Sequence, residues 1–146
     1  PENFRMFPVT DPNDFRQDYL VDRSLTAEFG SAGTMILMSG FRRDGEPTFS
    51  VEARLVDQDL EVRAGAATDK GSWQMSDWLP LAGDVSFGIE WRRGHALAQD
   101  GHLFVEIDGE LRGWLTDLDN DGLGLDAIGI NQSGASTLLI PATPPR

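Results

Sequence analysis

The stretch DVSFGIEWRR, residues 84–93, alternates between large apolar side chains and small or charged ones. The apolar set is Val85, Phe87, Ile89 and Trp91. A period of two places such a set on one face of a β-strand and leaves the other face to solvent. This segment therefore predicts a half-buried strand, and the same pattern recurs along the chain.

Residues 49–56 and 60–65 alternate in the same way on either side of the turn at residues 57–59, which predicts a hairpin. The remaining predicted strands lie at residues 19–29, 34–42, 73–78, 124–130 and 137–140. Turn residues separate them, and no segment keeps a helical period over three turns. About nine short strands of this kind predict an all-β sandwich or barrel.

A second hairpin is predicted over residues 102–116, around Asp108-Gly109. A three-residue loop, residues 108–110, keeps the apolar side chains of both strands on one face. The cross-strand pairs that this register predicts are Ile107 with Leu111, Phe104 with Trp114, and Glu106 with Arg112.

The length of 146 residues fits one domain. Residues 1–18 are rich in Pro, Asp and Asn and predict an irregular N-terminal arm, residues 19–140 the β-sandwich domain, and residues 141–146 a linker-like tail. Eleven of the twelve basic residues are Arg, a bias typical of GC-rich bacterial genomes.

The balance of 24 acidic against 12 basic residues gives a formal charge of −12. A field of that sign repels phosphate backbones, so we expect no nucleic-acid partner. No apolar run approaches the ~20 residues that a membrane helix needs, so we expect no membrane insertion. The chain has no Cys, which excludes thiolate sites and cysteine nucleophiles.

Five short sequences occur in an order that resembles concanavalin A-like (laminin G-like) domains of secreted bacterial proteins. They are GSW at 71–73, SFGIEWR at 86–92, GHLFVEIDG at 101–109, LTDLDND at 115–121 and LDAIGI at 125–130. The resemblance implies a jelly-roll sandwich of two antiparallel sheets. Members of this superfold include lectins, glycan hydrolases and accessory modules, so the resemblance informs the fold more than the function.

The acidic loop at residues 117–122 spells D-x-D-x-D-G. Alternating carboxylates around a glycine turn suit a hard cation, so Asp117, Asp119 and Asp121 are candidate ligands for Ca²⁺, with Asp126 as a late ligand. Ile128 stands where an EF-hand needs its final Glu, which excludes a true EF-hand. The alternative is a solvated turn whose Asp side chains cap backbone groups.

Residues 106–110 spell E-x-D-x-E, a pattern that resembles the catalytic strand of one glucanase family within the superfold. There the first and last Glu act as nucleophile and acid/base, which makes Glu106 and Glu110 the candidate pair for a glycoside hydrolase. That chemistry needs the three acids on one face of one strand. A hairpin turn at Asp108-Gly109 argues against it.

Aromatic side chains supply the candidate ligand site. Phe104 and Trp114 are predicted to lie together on the sheet face away from the apolar set, with Arg112 nearby, and exposed aromatics stack on sugars or dock proteins. We predict that the other tryptophans, Trp73, Trp78 and Trp91, belong to the core and that His95 and His102 lie on the surface.

These observations predict a non-catalytic binding or accessory module of a larger exported bacterial protein, at the cell surface or outside the cell. Its expected partner is a glycan or a protein, and its expected cofactor is Ca²⁺. Two alternatives stay open. One is a structural spacer without a small ligand, which requires Phe104 and Trp114 to be buried. The other is the glycoside hydrolase using Glu106 and Glu110.

Overall fold

The alternating segments form twelve β-strands in a computed structural model of the chain, which describes residues 4–21, 33–57, 59–131 and 139–141. No α-helix occurs in these four ranges, and accordingly none of their residues forms a helix long and apolar enough to cross a membrane.

Seven strands make the larger sheet. They are β1 (Phe4–Pro8), β3 (Thr34–Phe41), β4 (Pro47–Val56), β5 (Asp59–Ala67), β6 (Trp73–Met75), β7 (Leu79–Leu81) and β11 (Ala127–Asn131). Their order is β1-β11-β3-β4-β5-β6, with β7 paired to β5 beyond the end of β6.

Five strands make the smaller sheet. They are β2 (Asp14–Val21), β8 (Val85–Arg92), β9 (Gly101–Ile107), β10 (Glu110–Leu118) and β12 (Leu139–Pro141), in the order β10-β9-β8-β2-β12. Every strand pair in both sheets is antiparallel. The prediction of an all-β, two-sheet antiparallel sandwich is confirmed.

The core lies between the sheets and contains the apolar set of β8 as predicted. Trp91 is completely buried and stacks on Phe49 of β4, with ring centroids 6.4 Å apart. Phe15 of β2, the cross-strand partner of Trp91, also stacks on Phe49 at 6.0 Å. These rings join the two sheets at the centre of the sandwich.

The predicted irregular arm at residues 1–18 is wrong for the part that the structure describes. Residues 4–8 form β1, an edge strand of the larger sheet, and residues 14–18 belong to β2, which lies between β8 and β12. The side chain of Gln17 is buried in this second strand. Proline and aspartate in the opening segment mark the turn between two strands rather than the absence of strands. The predicted linker-like tail at residues 141–146 begins at Pro141, which is the last residue of β12, and residues 142–146 lie outside the described residues.

The β9–β10 hairpin keeps the predicted pair of Phe104 with Trp114 but reaches it by a different path. The loop is two residues long, Asp108 and Gly109, both with positive φ (52° and 80°), which is typical of a type I′ turn. A β-bulge between Leu111 and Gly113 then adds one residue to β10 and restores the alternation. The predicted pairs of Ile107 with Leu111 and Glu106 with Arg112 are therefore wrong.

Candidate functional site

Four charged side chains form two ion pairs on the outer face of the larger sheet. They lie on the alternate positions of β4 and β5, where the antiparallel register sets Glu52 opposite Arg63 and Arg54 opposite Glu61. The Arg63 Nε atom lies 2.5 Å from a Glu52 carboxylate oxygen, and Arg54 Nη2 lies 2.8 Å from Glu61 Oε1. We call these four residues the charge ladder.

The indole ring of Trp78 lies over both arginines of the charge ladder. The guanidinium carbon of Arg54 is 4.1 Å from the ring centroid and that of Arg63 is 4.6 Å away, which is cation–π geometry. Trp78 was predicted to be core, and this is wrong, because it sits between β6 and β7 and covers the outer face instead.

Two large apolar side chains of β6 stand beside the charge ladder. Trp73 is 40% exposed and Met75 is 42% exposed. Both cover Gly65 of β5, where an added Cβ would lie 2.5 Å from the Met75 sulfur and 3.3 Å from the Trp73 ring. We call Trp73 and Met75 the shelf. The prediction that Trp73 is core is also wrong, because its strand is three residues long and lies at the sheet edge.

A row of small residues separates the shelf from a second apolar cover, which is a group of large apolar side chains at the opposite edge of the same sheet. Cross-strand register aligns Gly65, Ser50, Ser39 and Gly129 in one row, and the Ser39 and Ser50 hydroxyl oxygens lie 2.7 Å apart. An added Cβ at Gly129 would meet Phe41, Phe4 and Met6. The row spans three strand steps, about 14 Å, between two apolar covers. The face is thus low in the middle and raised at both ends.

Sequence reasoning missed this surface although its signal was present. The alternation of residues 49–56 and 60–65 leaves Glu52, Arg54, Glu61 and Arg63 on the outward face of the predicted hairpin. The pairing of opposite charges follows directly from the register of the β4–β5 hairpin.

The predicted ligand residues lie on the outer face of the smaller sheet. Trp114 is 58% exposed beside Phe104, so the burial that a structural spacer requires is not found. The ring of Phe104 stacks on His102 at 4.0 Å, and His102 Nε2 lies 2.7 Å from a Glu90 carboxylate oxygen. His102 is therefore half-buried rather than a free surface residue. Arg112 lies at the β-bulge and pairs with Glu110 at 3.2 Å.

Two of the three predicted metal ligands lie together, and a third carboxylate joins them. Oxygen atoms of Asp69, Asp119 and Asp121 lie within 4.8 Å of one another. We call these three residues the acidic cluster. Asp69 is brought to the loop by its own backbone, because its N–H donates to the Asp119 carbonyl oxygen at 2.7 Å. Asp117 is at an exposed, positive-φ position of β10 and is outside the acidic cluster.

The Asp69 carboxylate lies in an unusual electrostatic setting. Burial and the neighbouring Asp121 and Asp119 raise its pKa, while the Gly122 N–H, which donates to both of its oxygens at 3.0 and 3.1 Å, opposes that shift. A divalent cation would relieve the repulsion among three carboxylates, and oxygen ligands of this kind suit Ca²⁺.

The candidate hydrolase pair is split by the hairpin. Glu106 is on β9 and pairs with Arg16 at 2.6 Å, while Glu110 is on β10 and pairs with Arg112. Asp108 Oδ1 accepts a hydrogen bond from the Ser86 N–H at 2.9 Å and so closes the turn. The three acids do not follow one strand, as the glucanase pattern would require.

The chain's one tyrosine is not available as a surface acid or base. Tyr19 is 4% exposed in the core, and burial raises the pKa of its phenol above the ordinary value. Proton transfer to a ligand bound at the surface would thus fall to side chains other than tyrosine.

No protein-family model and no curated protein matches the chain. Among solved structures, it is similar to a variant of the alginate lyase Aly36B in complex with alginate tetrasaccharide, with a TM-score of 0.56 at 12% identity. It is also similar to a heptameric SAP-like pentraxin from Limulus polyphemus (TM-score 0.48, 11% identity) and to the galectin LEC-6 of Caenorhabditis elegans (0.46, 14%).

The similarity extends over 90%, 86% and 90% of this chain, in the same order. It covers 66% of the lyase, 57% of the pentraxin and 89% of the galectin, so the chain spans less than two thirds of the first two. The fold is the concanavalin A-like jelly roll, as the sequence resemblance predicted.

One functional prediction needs correction. The chain was predicted not to be an enzyme, and this is wrong, because the similar structures include an alginate lyase built on the same fold. The likeness is one of fold and assigns no catalytic residue to this chain.

Proposed function

We propose that the chain binds a glycan across the outer face of its larger sheet. The observation that carries the proposal is the exposed shelf of Trp73 and Met75 beside the charge ladder. An exposed aromatic ring offers a flat apolar surface to the C–H face of a sugar. Carboxylates and guanidinium groups next to it accept and donate hydrogen bonds to hydroxyls.

The shape of the outer face of the larger sheet also supports a glycan as the ligand. The row of Gly65, Ser50, Ser39 and Gly129 leaves the centre low, and the two apolar covers bound it. A few oriented polar groups within a largely apolar, concave surface are typical of small-molecule and sugar sites. An oligosaccharide lying across the strands would contact the shelf at one end.

The outer face of the smaller sheet is the second candidate for the ligand site. Trp114 is more exposed than Trp73, and Phe104 lies beside it. Arg112, the third predicted ligand residue, already pairs with Glu110. We propose this face as the one that meets a protein partner, since it exposes an apolar ring beside the His102–Glu90 and Arg16–Glu106 pairs.

We propose Ca²⁺ as a structural cation at the acidic cluster. Its three carboxylates supply hard oxygen ligands, and repulsion from Asp121 and Asp119 adds to burial in raising the pKa of Asp69. Asp69 follows β5, and Asp119 and Asp121 follow β10, so bound Ca²⁺ would link the two sheets and stabilise the sandwich rather than take part in glycan contacts.

Two tryptophan variants on opposite faces test the site. Affinity electrophoresis against a panel of soluble polysaccharides is measured for the wild type, Trp73→Ala and Trp114→Ala. Loss of retardation in Trp73→Ala but not in Trp114→Ala is the expected result. The opposite pattern would move the site to the Phe104–Trp114 face, and retardation of none of the three proteins would refute glycan binding.

The same samples report on turnover. Chain length of any retained polysaccharide is followed by size-exclusion chromatography after prolonged incubation with the wild type. Shortening that is lost in Trp73→Ala would make the shelf part of a catalytic site.

A further inference from the structure

The arginines of the charge ladder are occupied on two sides. Each donates from its N–H edge to a glutamate, Arg54 to Glu61 and Arg63 to Glu52. Trp78 covers the flat side of both guanidinium groups. The edge and the flat side are the two surfaces with which arginine recognises a carboxylate or stacks on a ligand.

The glutamates that hold these arginines are partly shielded from water. The exposed fraction of the Glu52 side chain is 15% and that of Glu61 is 23%. Ion pairs in such positions are screened less by salt than fully exposed ones. Their carboxylates remain in place when a ligand approaches, because leaving an arginine partly buried without its partner is costly.

An acidic glycan would meet three obstacles on this face. Its carboxylates would have to displace Glu52 and Glu61 from the arginines, and would otherwise lie close to like charges. The chain as a whole carries a formal charge of −12, which repels polyanions over longer distances. An uncharged glycan meets none of these obstacles, because its hydroxyls can donate to the glutamates and accept from the arginine N–H groups outside the two ion pairs without displacing either glutamate.

We infer that Glu52 and Glu61 make this face selective for uncharged glycans by occupying the guanidinium groups that would otherwise bind a polyuronate. The inference rests on the proposed glycan site, and it assigns a specificity role to the two carboxylates. It also distinguishes this chain from the alginate lyase that shares its fold, whose solved complex holds an alginate tetrasaccharide.

The wild type gives the first test. Dissociation constants are measured by isothermal titration calorimetry for two uncharged polysaccharides, mixed-linkage β-glucan and galactomannan, and for two polyuronates, alginate and polygalacturonate. We expect at least one uncharged ligand to bind at least about tenfold more tightly than either polyuronate at low salt. Tighter binding of a polyuronate would overturn the inference while leaving the proposed glycan site intact.

The double variant Glu52→Gln/Glu61→Gln gives the second test. It removes two negative charges and frees both guanidinium groups, so we expect binding of alginate to rise at least about tenfold and to weaken with salt. The matched control is Glu46→Gln/Glu110→Gln, which removes the same charge at exposed positions away from the face. An equal gain in the control would overturn the role of the two ladder glutamates.

The outcomes separate the two claims. Failure of the wild type to bind any of the four polysaccharides refutes the proposed function and the inference together. Polyuronate binding that Arg54→Gln/Arg63→Gln abolishes refutes only the inference. Because the wild-type comparison needs no substitution, it tests the selectivity for uncharged glycans even if the double variant does not fold.

Discussion

The Oδ1 atom of Asn120 accepts a hydrogen bond from the backbone N–H of Gly94 at 2.8 Å. The Nδ2 atom of the same side chain donates to the Arg92 carbonyl oxygen at 3.2 Å. Asn120 is completely buried and lies against Gly101, where an added Cβ would be 2.1 Å from Oδ1. It ties the acidic loop to the end of β8 and the start of β9.

Replacement of Asn120 by alanine should lower the free energy of unfolding by about 2–4 kcal/mol, since a buried side chain is truncated and two partly buried backbone groups lose their partner. Urea denaturation followed by circular dichroism measures the change. The matched control is Asn13→Ala, whose exposed Oδ1 accepts from Arg93 at 3.2 Å and whose loss should cost less than about 1 kcal/mol. Equal losses in the two variants would show that burial of Asn120 does not matter.

Gly40 marks the closest approach of β3 to the core. An added Cβ would lie 2.4 Å from the Phe49 ring and 2.5 Å from a Leu125 methyl group. Gly40→Ala should therefore destabilise the fold by about 1–3 kcal/mol through overpacking. Gly124→Ala, where the nearest atom is 4.0 Å away, should change the unfolding free energy by no more than about 0.5 kcal/mol. Chemical denaturation of both variants tests this difference.

The ionisation of Asp69 should contribute to the pH dependence of the free energy of unfolding. Its pKa is raised in the folded protein, so the folded state binds this proton more tightly than the unfolded state does. The group therefore favours folding at pH values below its folded pKa, and this contribution is lost as the pH rises through that value.

Asp69→Asn should flatten the pH dependence of the unfolding free energy in chelator. At neutral pH it should leave the fold as stable as the wild type or more so, because repulsion with Asp121 and Asp119 disappears. The measurement is urea denaturation in a pH series, with the exposed Asp126→Asn as control. A wild-type slope unchanged in Asp69→Asn would contradict the prediction.

Calcium should raise the melting temperature through the acidic cluster. A cation that binds only the folded state at 100 times its dissociation constant adds about 2.7 kcal/mol. Differential scanning fluorimetry in calcium and in chelator should show a rise for the wild type that is absent in Asp119→Ala.

Asp117→Asn separates the predicted ligand set from the observed one. Asp117 is outside the acidic cluster, so this variant should keep the calcium response. Loss of the response in Asp117→Asn but not in Asp69→Asn would restore the set that the sequence predicted.

Alternation predicted most of the fold because it depends on neighbouring residues only. The strands at Val85–Arg92 and Pro47–Val56 follow from it, since each alternates its burial along the strand. The register of the β9–β10 hairpin did not follow, because a bulge shifts the pairing by one residue and leaves no compositional mark.

Contacts between distant segments explain what the sequence could not predict about the sites. Asp69 joins Asp119 and Asp121 across about fifty positions, and nothing near Asp69 indicates a metal ligand. Trp73 and Trp91 both lie in predicted strands, but Trp73 is 40% exposed and Trp91 is completely buried, because one is at a sheet edge and the other at the centre. The presence of aromatic residues was predictable, whereas the choice between core and surface was not.

The interruptions in β10 also bear on how the protein behaves at high concentration. This strand is the free edge of the smaller sheet, and its side chains include the exposed Leu111 and Trp114. A long, regular edge of that composition would recruit further strands and seed fibrils. The two breaks in its pairing, with Asp117 in the left-handed region at the second, leave no straight run for an incoming chain to copy. The hairpin can thus display a tryptophan to solvent without becoming a template for aggregation.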